Sequence, residues 1–125
     1  MSYEVRLIKD KKIVEVTPRL EGGIDRNHKL GEKKNIYFEN DKAELKIAYN
    51  YSKFYQAHLP GKGIEWLHRK KARETIEKLE CAIEKLGTER DKCYFKAAPG
   101  NAGFALSILL GWAREHPEAT WDVLT

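Results

Sequence analysis

Two short stretches carry the residue types and spacings that point to chemistry: "KAAPGNAG" at 96 to 103 and "HRKKAR" at 68 to 73. In the first, a Pro-Gly-Asn turn stands directly before an apolar run that reads as helix. Asn101 is placed to cap that helix by accepting backbone N–H groups two or three residues on. The same turn leaves N–H groups at the positive end of the helix dipole, an arrangement that holds phosphate. Lys96 and Gly100 would complete such an anion site. Neither the G-x-x-x-x-G-K-[ST] phosphate loop nor the G-x-G-x-x-G dinucleotide turn is present, so plain capping and anion binding both stay open.

The second stretch places His68, Arg69, Lys70, Lys71 and Arg73 at the start of an amphipathic helix, with Lys62 upstream. Cations there oppose the helix dipole. Placement against that field suggests an anionic partner, a nucleic acid or a phosphorylated ligand, beside the plain reading of a solvated charged turn. A third stretch, "YNYSKFYQAH" at 49 to 58, gathers aromatic rings around amides. Strand alternation puts Tyr49 and Tyr51 in the core and turns Asn50 the other way. Asn50 with Phe54 and Tyr55 could then meet a flat ring, as base recognition requires.

Catalytic patterns are thin. His116-Pro117-Glu118 matches the H-x-E half of the zinc deaminase signature, but no P-C-x-x-C follows it. His58 and His68 are the nearest candidates for acid–base work and serve equally well as surface residues. Cys81 and Cys93 lack metal-ligand spacing. No catalytic residue, metal or cofactor is assigned, and the chain is expected to be a binding protein rather than an enzyme.

The elements that must position these residues follow from periodicity. A length of 125 residues suits one domain, and 23 Lys plus Arg against 19 Asp plus Glu give a formal charge of +4. Residues 1–52 read mainly as strands. Tyr3, Val5 and Leu7 alternate, Asp10-Lys11 turns the chain, and Val14 and Val16 return. A second hairpin is expected around Asn40-Asp41-Lys42, between Ile36–Phe38 and Leu45–Tyr51. The Gly-, Lys- and Arg-rich segment 19–35 between them reads as a loop, functional or mobile.

Residues 62–116 read mainly as helix. A short helical turn is expected at 63–68 after Pro60-Gly61. Ala72, Ile76, Leu79, Ile83 and Leu86 form the stripe of a helix over 72–86, stopped by Gly87. The last helix, from about 101 to 115, is apolar nearly all round and ends at His116-Pro117. Such a helix must be covered on more than one side, which suggests a homodimer. The tail "ATWDVLT" is expected to add an edge strand or to pack Trp121 on the core. No apolar run approaches the roughly 20 residues of a membrane span, and no leader pattern opens the sequence, so the expected location is cytoplasmic.

The segments "IAYNYSKFY" at 47–55, "GIEWLHRKKA" at 63–72 and "YFKAAPGNAGFALSILLGWAREHPEA" at 94–119 resemble a group of small proteins carried by phages and prophages. The shared pattern is Tyr-Asn, then Gly-Ile-x-x-Leu, then Pro-Gly-Asn-Ala, then Trp-Ala-x-x-His-Pro. Ala98 departs from it, since a Thr often precedes the Pro-Gly-Asn-Ala turn. The resemblance covers the C-terminal two-thirds and implies a counter-defence role: sequestering a nucleotide signal, or blocking a nucleic-acid-guided or other host effector.

The expected architecture is α+β, an antiparallel sheet of about four strands packed against two main C-terminal helices. The preferred functional expectation is capture of a phosphate-bearing ligand, a nucleotide, by Asn50, Tyr55, Arg69, Lys70, Lys71, Arg73, Lys96, Gly100 and Asn101. The alternative is an interaction protein that inhibits a host protein or nucleic-acid complex through its basic surface.

Overall fold

The computed structural model describes residues 2–27, 32–90 and 97–125, with 20–27 and 32–39 described by backbone alone. Lys96, Cys93 and the centre of the 19–35 segment lie outside the described residues or side chains. In chain order the elements are β1 (Ser2–Lys9), β2 (Lys12–Ile13), β3 (Glu15–Asn27), β4 (Glu32–Lys42), β5 (Glu44–Ala48), α1 (Ser52–His58), α2 (Ala72–Leu86), α3 (Pro99–Glu115) and β6 (Thr120–Leu124). Two 3-10 turns, Tyr49–Tyr51 and Gly63–Leu67, flank α1. The α+β expectation holds.

β1 is the central strand of a four-stranded antiparallel sheet. One edge of it pairs with β5, through Tyr3↔Ile47 and Val5↔Leu45, and then with β2 through Ile8↔Ile13. The other edge pairs with β6, through Val5↔Val123 and Leu7↔Trp121. Alternation decides the faces: Tyr3, Val5, Leu7, Ile47, Trp121 and Val123 are buried, while Glu4, Arg6 and Asp122 occupy the wetter side. The tail thus does both things expected of it.

The second hairpin is not where the turn residues suggested. The chain passes from β4 into β5 with only a bend at Ala43, and the two strands have different partners, β3 and β1. Ala43 is fully buried at a three-strand junction: its N–H donates to Val14 O, and its carbonyl accepts from Leu7 N. There β3 and β4 leave the sheet together as a two-stranded ribbon. Most of the expected 19–35 loop is therefore paired backbone, with Arg19↔Asn40 and Gly23↔Ile36 in register. Cross-strand pairing, which local composition does not report, overrides the loop-like residue content.

Strand alternation also stops earlier than expected. β5 ends at Ala48, so Tyr49 sits half-buried with its ring 4.5 Å from Tyr3, while Tyr51 is buried. The following α1 has no counterpart in the sequence reading.

α2 occupies the expected 72–86, and Gly87 ends it at φ 77°. Its most buried stripe is Ala72, Thr75, Leu79, Ala82 and Leu86, rotated from the expected one so that Ile76 and Ile83 are only partly buried. Thr75 belongs inside because Trp121 Nε1 donates to its hydroxyl at 2.9 Å, while that hydroxyl donates to Ala72 O at 2.7 Å. α3 runs antiparallel to α2. Its apolar circumference is covered largely within the chain, with Ala102, Leu106, Leu109 and Ala113 inaccessible and Arg19 stacked 4.7 Å over the Trp112 ring.

Candidate functional site

Gly100 and Gly103 of the Pro-Gly-Asn-Ala-Gly turn serve close packing. α3 begins at Pro99 with Ala98 as its N-cap and no side-chain cap, so Asn101 lies in the first turn of the helix rather than before it. Proline at the helix start removes one orphan donor and presets φ, which makes an Asn cap unnecessary. Asn101 is 3 % exposed and is not presented to a ligand. A Cβ on Gly100 would stand 1.8 Å from Glu89 O, and one on Gly103 1.8 Å from Gly87 O. The backbone leaving α2 therefore lies against the first turns of α3, and only glycine permits that approach. A groove of about 580 Å³ remains beside this contact, lined in part by Arg90 and Pro99.

Tyr55 is likewise structural. It is fully buried, and its hydroxyl donates to Ala102 O at 3.0 Å, tying α1 to α3. No face of its ring is available to a base. Asn50 is exposed on the 3-10 turn beyond β5.

Among the described residues, the expected ligand residues do not assemble at one place, and Lys96 lies outside them. Arg73 N donates to Pro117 O just past the end of α3, whereas Gly100 is at the start of α3. About 22 Å of helix, at 1.5 Å per residue, separates the basic segment from the Pro-Gly-Asn turn. Asn50 follows β5, and the basic segment lies beyond β6 on the other side of β1.

The basic segment runs along the outer edge of β6. Arg69 N donates to Trp121 O at 2.8 Å, Trp121 N donates to Lys70 O at 2.9 Å, and Lys71 bridges Thr120. His68 Nδ1 accepts from Val123 N at 3.0 Å, which fixes that nitrogen as the unprotonated one, and lies 3.8 Å from Asp122 Oδ1. Asp122 is also bonded by Arg6, opposite it on β1. His116 Nε2 lies 2.6 Å from Glu15 O while Glu118 faces cations, so the H-x-E residues form no joint site.

Placement of cations at the start of α2 finds its explanation in Glu118. Its carboxylate lies 2.9 Å from Arg73 Nη1 and 3.7 Å from Lys71 Nζ, supplying negative charge where the dipole is positive. The orphan donors Ala72 N and Arg73 N bond to Ala119 O and Pro117 O, so the α2 N-terminus is closed by the chain itself.

The sequence reading missed a second basic group. Lys9 and Lys12 are directly opposed across the β1–β2 hairpin, and Lys11 occupies its two-residue turn. Because Ile8 pairs with both Ile13 and Thr120, and Thr120 bridges Lys71, these lysines share one end of the sheet with the basic segment. Three strand spacings of about 4.8 Å spread these cations over roughly 14 Å of the sheet's end. By alternation Lys9 and Lys12 stand on the face of Leu7, whereas Lys71, bridged to Thr120 opposite Ile8, stands on the other face. Lys9, Lys11, Lys12, Lys71 and Arg73 are all exposed, with Asp10 and Glu118 interspersed.

Lys11 in this group and Arg69 beside it are held at conformational cost. Among the described non-glycine residues, positive φ occurs at Asp10 (53°), Lys11 (66°) and Arg69 (68°). The first two make a type I′ hairpin turn, where Asn-Gly is the favoured pair. Lys9 opposite Lys12 adds like-charge repulsion. A local signal for the turn exists, but its proximity to residues 69–73 comes only from the pairing of β1 with β6.

Compared with family models, curated proteins and solved structures, the chain matches none of them.

Proposed function

We propose that the chain is a non-enzymatic binding protein that docks the phosphate backbone of a nucleic acid on the basic end of its sheet. The observation that carries this reading is the retention of Lys11 and Arg69 in left-handed backbone conformations, both exposed and both at or beside the same cationic end of the sheet. Strain of this kind costs about 1 to 3 kcal/mol per residue and concentrates where function holds it. Cations spread over roughly 14 Å of the sheet's end, on both of its faces, suit a polyanion, whose strands carry one phosphate per about 3.4 Å of rise, better than a single mononucleotide. Phage resemblance adds the setting: an inhibitor that masks a host nucleic-acid complex.

Fluorescence anisotropy with labelled oligonucleotides tests the reading. The affinity is expected to fall with salt at a log–log slope of about −3 to −4 on duplex DNA, matching roughly four neutralised phosphates. Charge reversal at Lys9, Lys12 and Lys71 is expected to flatten that slope, while mononucleotides leave the melting temperature unmoved. A salt-independent affinity, or no binding at 50 mM salt, would overturn it.

A further inference from the structure

We propose that Trp66 is a stacking platform for one base of a single strand, which makes single-stranded nucleic acid the preferred form of the partner. This rests on the reading above and adds to it. Trp66 belongs to the 3-10 turn Gly63–Leu67, immediately before the basic segment, and is half-buried. The other two tryptophans are committed to the core, Trp112 at 3 % and Trp121 at 1 % exposure. Lys70 Nζ lies 5.1 Å over the Trp66 ring. Pro60-Gly61 brings the chain back on the ring, with Gly61 at φ 60° and open to a Cβ only 3.8 Å from Trp66 Cδ1. The ring packs in part against the core while the Lys70 ammonium lies over it.

A cation over an indole face occupies the position a base would take. Lys70 is long enough to leave the ring and follow a phosphate, and Arg69, beside it, is exposed. Bases of a duplex are stacked on one another and offer edges rather than faces, whereas a single strand exposes a face to an aromatic ring. The pairing of one ring with adjacent cations is therefore selective for strand form and tolerant of base sequence.

The experiment uses the full chain and a thymidine oligomer, with a duplex of equal length beside it. Wild-type tryptophan emission is expected to be quenched by the oligomer, and the quenching to be absent in Trp66→Phe, since the remaining indoles are buried. Trp66→Leu is expected to weaken single-strand binding about tenfold, the scale of one stacked base, and duplex binding less than twofold. Lys70→Ala, at a half-exposed site, uncovers the ring: it is expected to increase acrylamide quenching of the apo protein's emission and to weaken oligomer binding, and acrylamide quenching equal to wild type overturns the placing of Lys70 over an open ring face. Unchanged emission on saturation with the oligomer overturns the platform while the electrostatic reading stands. If neither oligomer nor duplex binds, the electrostatic reading and the platform fall together.

Discussion

Arg73 Nη1 donates to Glu118 Oε1 at 2.9 Å across the junction between the start of α2 and the segment leading into β6. With Lys71 3.7 Å from the same carboxylate, Glu118 occupies the place of an anion between two cations. Both partners are about half exposed, so the pair contributes little to stability. Its consequence is competitive. Glu118→Gln is expected to raise oligonucleotide affinity severalfold and to delay elution from a cation exchanger, with the melting temperature nearly unchanged. Equal affinities at low salt would show that Lys71 and Arg73 lie outside the interface.

Lys11→Gly relieves the left-handed strain at the hairpin turn. It is expected to stabilise the fold by about 1 kcal/mol, since glycine meets no Cβ penalty there. The same change removes one cation and is expected to reduce the salt slope of binding by about 1. Urea unfolding and salt titration on one preparation measure both. A stabilised variant with an unaltered slope would separate the turn from the interface.

The glycines of α3 are expected to behave in opposite ways. Gly100→Ala and Gly103→Ala push a Cβ to within 1.8 Å of a carbonyl oxygen and should each cost about 2 to 3 kcal/mol in the absence of any ligand. Gly111→Ala meets nothing within 4 Å and should stabilise the helix by about 0.5 to 1 kcal/mol. Thermal melts of the three variants decide it. Wild-type stability in Gly100→Ala would return the turn to the status of a ligand loop.

Thr75→Val keeps the shape of the side chain and deletes the acceptor for Trp121 Nε1. Leaving that buried donor unpaired should cost about 1 to 3 kcal/mol and lower the melting temperature by several degrees. Thr75→Ser, which retains the hydroxyl, should recover part of the loss. No difference between Val and Ser at this position would mean that packing alone places Trp121.

Much was legible in the sequence because it follows from local period. The amphipathic spacing from Ala72 to Leu86 and the stop at Gly87 define α2 to the residue. Alternation of Tyr3, Val5 and Leu7 defines β1, and the α+β class follows from strands in one half and helices in the other. Residue type also marked 68–73 as an anomaly of charge. The partners of each element were beyond such reasoning. That β4 turns to β3 and β5 to β1 depends on the buried junction at Ala43, and that Gly100 serves packing depends on Glu89 lying against it. Tertiary structure alone decided the candidate site. It separated Gly100 and Asn101 from the basic segment by the length of a helix and brought Lys9, Lys11 and Lys12 to it, because β6 pairs with β1 across more than 110 residues of chain, with Arg6 facing Asp122 at a separation of 116. Local preferences act over a few residues, whereas a binding surface is made by contacts whose sequence separation carries no local trace.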